Sequence, residues 1–380
     1  MKYTCISADN HIIETPTTFI DRVPARFKEA APRVVRGQDG GDGWTLDGSI
    51  PVSTIGLPSG LGAVNPGMHI RTNGRGLRWE EVSPGNYDGA AHIKDMASDG
   101  IDAAVVYPQM VYRAYTGLKD RDLALACLRA FNDWLLDEFC AVDPKRLVGM
   151  TMVPWLHPMT EIVTELERIL KKGAKAVFLP YSIDPPLYSP YWDPMWKLIS
   201  DASAVGSLHL RFGATGGPAV PLPEGIKPGW VSTARTVNGY FSAIEPLTQL
   251  IFTGLFDRFP TLKFLHAEVN MGWVPFWVSM MEQVRAQHGY WAEYANERNV
   301  RDYLGTNVFI TGLDDKEGFR LAREGDDIIP KMAMFSIDYP HEITLFPNTQ
   351  KHLKELTVGL KEDVKHNILA GNAARVFNLA

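Results

Sequence analysis

Eight short runs rich in β-branched and aromatic residues recur along the chain, each separated from the next by a stretch long enough for a helix. "KYTCISAD", "IDAAVVYP", "RLVGMTMVP", "KAVFLPY", "GSLHLRF", "TLKFLHAE", "TNVFITG" and "MAMFSID" alternate with amphipathic pieces such as "RDLALACLRAFNDWLLDEFCA", "PMTEIVTELERILKKG" and "VPFWVSMMEQVRAQH". The helical pieces carry their own end signals: acidic residues open the first, and "RILKKG" closes the second with basic residues and a Gly. Strands joined by helix-length connections pair in parallel. Eight such strands close most naturally on themselves, so the predicted fold is α/β, a (β/α)8 TIM barrel filling residues 1–380 as one domain. The final run "KHLKELTVGLKEDVKHNILAGNAARVFNL" reads as terminal helices added to the outer layer.

One stretch breaks the alternation. Residues 33–88 are rich in Gly, Pro, Asn and Ser, and "VVRGQDGGDGWTLDGSI" has the pattern of a small hairpin. A long irregular segment inside a compact domain is usually functional or disordered. Because it follows the first strand, it would lie over the C-terminal face of a barrel, and we expect it to cap the site there. A second Gly/Pro-rich loop, "GATGGPAVPLPEGIKPG", follows the fifth strand and should line the same mouth. Neither loop carries the GK[ST] or GxGxxG spacing of a phosphate cradle.

Composition narrows the partners. A formal net charge of -6 with no basic stripe argues against nucleic acid. No apolar run reaches the roughly 20 residues of a membrane span, and the opening "MKYTCISADNH" lacks the apolar core of a signal peptide. Cys5, Cys127 and Cys140 show no CxxC spacing, and an odd count suits reduced thiols. The expectation is a cytoplasmic protein that acts on a small molecule and forms a homo-oligomer.

The strand ends hold the chemistry. Side chains two apart on a strand share a face, and four strands end in polar pairs at that spacing: Asp9 with His11, His209 with Arg211, His266 with Glu268, and Ser336 with Asp338. Parallel strands are normally apolar on both faces. Any one of these residues reads as well as a hydrogen-bonded core group or a cap. Four sets at corresponding ends are harder to explain that way. Imidazoles and carboxylates without thiolates suit Zn²⁺, Fe²⁺ or Mn²⁺.

At these residues the chain resembles a known family. "SADNHIIE" is similar to the D-x-H-x-x-E opening of the amidohydrolase-related metal-dependent barrels, relatives of aminocarboxymuconate-semialdehyde decarboxylase. "AAHIKDMASDGIDAAVVYP", "LFDRFPTLKFLHAEVNMGWVPF" and "MFSIDYPHEITLFP" resemble that family's segments in the same order. The resemblance implies metal ligands at Asp9, His11, His209 and Asp338. It also exposes a departure, because His92 stands after "DGAA" where the family pattern leads us to expect Arg. His92 alone reads as an exposed helix residue. With Glu14 and Glu268 it could instead complete a second metal site.

The expected activity is metal-dependent hydrolysis or nonoxidative decarboxylation of a small, carboxylate-bearing or aromatic substrate. A divalent metal is expected, zinc first. Asp338, His266 and Glu268 are the candidate catalytic groups, Arg211 and His341 the candidate substrate contacts. Arg211 is chosen because its planar fork matches a carboxylate. The surplus of ligands keeps open an alternative, a nonhaem diiron monooxygenase on the same barrel. Trp44, Trp79, Trp230 and Tyr240 are expected to form an aromatic mouth.

Overall fold

The computed structural model describes residues 3–38, 40–46, 53–54, 77–210, 223–341 and 343–379. Strand β1 (Ile6–His11) is followed by three short strands, β2 (Arg33–Arg36), β3 (Asp42–Thr45) and β4 (Ser53–Thr54). Then come β5 (Ala103–Tyr107), β6 (Leu147–Met152), β7 (Ala176–Phe178), β8 (Val205–His209), β9 (Lys263–Ala267), β10 (Val308–Gly312) and β11 (Ala333–Phe335). One sheet runs β1-β5-β6-β7-β8-β9-β10-β11, with every neighbouring pair parallel. Asp338 N–H donates to the Asp9 carbonyl at 3.0 Å and His11 N–H to the Tyr339 carbonyl at 2.6 Å. These bonds bring the exit of the last strand against the first, giving a nearly closed (β/α)8 barrel. The eight strands match the eight β-rich runs of the sequence.

The helices begin and end where the sequence indicates. Asp120 caps the helix Arg121–Trp134 by accepting from the Asp122 and Leu123 amides. The helix Met159–Lys171 gives way to Gly173, whose φ of +94° is left-handed. The hairpin expected near residue 34 is present, with β2 and β3 antiparallel and β4 added on the far edge. Its Trp44 is buried edge-on against Phe19 at 5.7 Å. Trp44 is therefore a core residue and not part of an aromatic mouth. Among the described residues, no helix is long and apolar enough to cross a membrane, and Cys5, Cys127 and Cys140 are free and buried.

Register sorts the side chains into two sets. Level residues on parallel strands share a face. His11 is level with Tyr107, Phe178 with Ser207, and His209 with Ala267. Tyr107 Oη meets Ser207 Oγ across the barrel at 2.7 Å, which marks this set as interior. The other set faces the helices: Phe264 packs on Trp196, from the surrounding helix Asp193–Asp201, with ring centroids 6.0 Å apart. Strand β1 has a bulge, its register slipping between Ser7 and Asn10. Bulges re-aim side chains and recur beside active sites.

His92 belongs to the outer set, contrary to its reading as an exposed helix residue. It is fully buried on the helix Gly89–Ser98, behind β1. Asn10, level with the outward Val106, reaches His92 Nε2 at 3.0 Å, and His92 Nδ1 lies 2.8 Å from the Gly85 carbonyl. This pairing fits a neutral ring that donates from Nδ1 and accepts at Nε2. Burial pushes the His92 pKa down to about 4. The unfolded chain then takes up a proton that the folded chain refuses, so the neutral ring's stabilisation is complete above about pH 6.5 and lost as pH falls toward 4. The slope is at most about 1.4 kcal/mol per pH unit. Unfolding free energies measured between pH 4 and 7 should fall more steeply in the wild type than in His92→Gln. Parallel curves would show that His92 is not held neutral.

Candidate metal centre

Four strand ends deliver side chains to one buried point at the C-terminal face of the barrel. From β1, the bulge leaves both Asp9 and His11 directed inward. From β8, His209 Nε2 lies 3.0 Å from His11 Nε2 and 3.2 Å from Asp9 Oδ1. Just beyond β11, Asp338 Oδ1 is 3.2 Å from His11 Nε2. Just beyond β9, Glu268 Oε2 is 3.6 Å from His209 Nε2. His341 completes the group, stacked on His11 at 3.9 Å with Nδ1 3.4 Å from Asp338 Oδ2. Asp9 and Asp338 are fully buried, and His11 and His209 nearly so.

These distances fit a divalent cation. Ligands about 2.0–2.2 Å from a metal stand roughly 3.0–3.5 Å from one another. Asp9, His11, His209 and Glu268 form one such set of donors, and His11, Asp338 and His341 an overlapping one. Asp9 Oδ2 and both Asp338 oxygens are buried without a hydrogen-bond partner. Buried carboxylate oxygens left so are costly unless a cation or proton compensates them.

The protein's own field is divided within this cluster. Burial pushes the Asp9 carboxyl up, with His209 pulling it back. Burial also acts upward on Asp338, but the His341 and His11 imidazoles hold it well below the usual carboxylate range. His11 is pushed down to about 3 by burial, with His341 adding to the effect. His209 is opposed by burial yet raised to about 9 by the Asp9 carboxylate. Glu268 is pushed up to about 8 by burial and then by the Asp338 carboxylate. A protonatable carboxyl thus stands beside an ionised one.

Two backbone departures aim the acids. Asp338 has φ +53° and Glu268 has φ +56°, a region that costs non-Gly residues about 1–3 kcal/mol and clusters at functional sites. At Glu268 the consequence is direct. His266 is level with Leu208 and Ile310, on the face opposite His209 and Ala267. A regular strand would send Glu268 outward with His266. The left-handed turn brings Glu268 inward, its amide donating to Thr311 Oγ1 at 2.7 Å.

His266 is accordingly not brought into the cluster. It is fully buried, with Tyr181 as a ring neighbour at 6.4 Å, and no hydrogen bond or ion pair joins it to the inward acids among the described residues. The expectation that His266 and Glu268 share a face fails because the strand does not continue regularly through Glu268. Glu14 and His92 also lie apart. Both Glu14 oxygens accept backbone N–H groups, from Met110 at 2.9 Å and Val111 at 2.8 Å, capping the helix Met110–Gly117. Arg211 falls outside the described residues, as do the first residues of its Gly/Pro-rich loop.

Other contributors were not singled out from sequence. Tyr107 packs edge-on against His209 at 4.7 Å and forms the floor with Phe178 and Ser207. Gln109, two residues past β5, reaches both His11 and His341. Its signal was position alone, immediately beyond a strand's C-terminal end. Tyr240, expected at the mouth, has its phenol pushed up by burial and by the Glu268 and Asp338 carboxylates. Trp230, by contrast, is well exposed, on the helix Pro228–Gly239.

Comparisons with known proteins agree with this architecture. A family model described as Amidohydrolase matches residues 68–379. An amidohydrolase from Mycobacterium avium subsp. paratuberculosis K-10 superposes with a TM-score of 0.70 at 20% identity, covering 99% of this chain and 100% of that one. The 5-carboxyvanillate decarboxylase of Sphingomonas paucimobilis gives 0.64 at 18%, covering 100% of both. The 5-carboxyvanillate decarboxylase of Novosphingobium aromaticivorans DSM 12444, solved with manganese and 4-hydroxy-3-methoxy-5-nitrobenzoic acid, gives 0.64 at 17%, covering 99% of this chain and 96% of that one. A search of curated protein sequences finds no match.

If the inward donors act together on a cation, removing one should loosen it. His209→Ala should lower bound divalent metal by about 10-fold or more relative to wild type, while the circular dichroism spectrum stays the same. Full metal content in that variant would remove His209 from the ligand set.

Proposed function

The chain belongs to the amidohydrolase family, and on that premise we propose that it is a metal-dependent enzyme that decarboxylates a small aromatic carboxylate without an oxidant. The observation that carries this reading is Glu268: a carboxyl pushed up to about 8 and turned by its left-handed backbone toward the His209 ring nitrogen, 3.6 Å away. Nonoxidative decarboxylation needs a proton at the carbon that loses CO₂. A carboxyl that burial and the neighbouring Asp338 carboxylate push upward is suited to carry and deliver it.

In this reading Asp9, His11, His209 and Asp338 hold a divalent cation, zinc or manganese by ligand type. When bound, the cation supplies Lewis-acid polarisation and a point of attachment for anionic substrate oxygens. Glu268 adds its proton to the ring carbon that carries the carboxylate. The bond to the carboxylate then breaks, CO₂ leaves, and the electron pair of that bond restores the aromatic ring. His341, partly exposed beside Asp338, contacts the substrate. Arg211, two residues past His209 in the sequence, remains the candidate for a substrate carboxylate. We assign residues 33–88 as the cap and the whole chain as one domain. The fold resemblance to decarboxylases of aromatic acids supports the substrate class.

Hydrolysis is the second reading, favoured by Asp338, which is held ionised and could accept a proton from an attacking water. The diiron oxygenase gains no support, because Glu14 and His92 are committed to backbone and core partners.

The test is product analysis with manganese or zinc supplied. The wild type should release CO₂ from hydroxylated benzoates such as 2,6-dihydroxybenzoate or 5-carboxyvanillate. Glu268→Gln should retain the cation and lose about 10²–10⁴-fold in rate. A near-wild-type rate would place the proton donor elsewhere. Release of an acid from esters or amides, with no CO₂ from any benzoate, would establish the hydrolytic reading instead.

A further inference from the structure

Gln109 is half-buried at the barrel mouth, with the helix behind it fixed by Glu14. One atom of its terminal amide, placed as the nitrogen, lies 2.8 Å from His11 Nδ1 and 2.8 Å from His341 Nε2. Amide nitrogen and oxygen are interchangeable by shape, so the hydrogen-bond network must decide which atom faces the rings.

The two orientations have opposite consequences. An amide NH₂ would donate to both rings and force their protons onto His11 Nε2 and His341 Nδ1. Those protons would then point at Asp338, 3.2 Å and 3.4 Å away. Neither contact has hydrogen-bond geometry, since both Asp338 oxygens are buried without a hydrogen-bond partner. His11 Nε2 and His209 Nε2 are hydrogen-bonded at 3.0 Å, so a proton on His11 Nε2 that serves His209 could not also serve Asp338. An amide oxygen reverses the arrangement. With two lone pairs it accepts from His11 Nδ1–H and His341 Nε2–H together. His11 Nε2 and His341 Nδ1 are then left as lone pairs, which can stand 3.2 Å and 3.4 Å from the Asp338 oxygens only with a cation between them.

We propose that Gln109 is a positioning residue whose side-chain carbonyl sets the tautomers of both His11 and His341, leaving two imidazole lone pairs for a cation that the Asp338 carboxylate also faces. His341 is thereby a nitrogen donor to the cation as well as a wall of the substrate site. The proposal rests on the cation reading given above, but the amide orientation can be observed independently of it. Imidazole ligands characteristically donate their second N–H to a fixed acceptor, and loss of that acceptor costs about 10–100-fold in metal affinity.

Neutron diffraction from deuterium-exchanged crystals of the wild-type protein tests the orientation directly. Deuterium on His11 Nδ1 and His341 Nε2, with no amide deuterium between them, is the expected result. Two Gln109 deuterons aimed at the rings would overturn the proposal. Zinc titration of two variants supplies the second arm. Gln109→Glu keeps an acceptor and should bind within a few-fold of wild type, whereas Gln109→Leu should bind about 10–100-fold more weakly. Equal affinities in the two variants would also overturn it. A wild type that binds no divalent cation would defeat the cation reading and, with it, the donor role given to His341; the neutron result would still decide the tautomers.

Discussion

Two imidazole nitrogens from opposite parts of the chain, His11 Nε2 and His209 Nε2, are held 3.0 Å apart beside two buried carboxylates. Few arrangements are harder to keep. Desolvated carboxylates cost several kcal/mol each unless matched by positive charge or protons, and two ring nitrogens can share at most one proton between them. A cation among these groups would relieve both demands at once. Much of the local architecture follows from the need to hold them, including the bulge in β1, the left-handed backbone at Glu268 and Asp338, and the amide bonds that join β1 to the end of β11.

The barrel wall decides which histidines take part. His11 and His209 are on interior registers, while His266 shares the level of Leu208 and Ile310 and His92 sits behind Asn10. A shift of one residue along a strand separates a side chain that faces the inward cluster from a core group. His92 and His266 are both fully buried, and burial pushes both pKa values down, to about 4 and about 3. They are neutral rings absorbed into the walls. The same distinction gives Glu268 its importance: its strand would carry it outward, and a single left-handed residue returns it to the site.

The strand and helix order was legible because hydrophobic period and end signals are local properties, and all eight barrel strands lie where the β-rich runs do. Asp9, His11, His209 and Asp338 were singled out by combining strand-end position with family resemblance, and they lie in two overlapping sets of donors that share His11. Sequence alternation could not foresee the break at Glu268, since a left-handed residue reverses facing without any Gly to announce it. It misjudged His92 because a polar residue on an amphipathic helix is usually exposed, and nothing local reveals the Asn10 partner across the wall. Trp44 misled for a related reason: an aromatic in an irregular segment can anchor that segment to the core as readily as it can line a mouth. Gln109 lay hidden because its role depends on two rings 98 and 232 residues away in sequence.

Anomalous diffraction at the zinc and manganese edges, from crystals grown with each metal, tests the convergence most directly. The expected result is a peak bonded to His11 Nε2, His209 Nε2, His341 Nδ1 and the Asp9 and Asp338 carboxylates, with Glu268 alongside. No peak at that point, or a peak on Glu14 and His92 instead, would contradict the assignment of these strand ends as a metal centre.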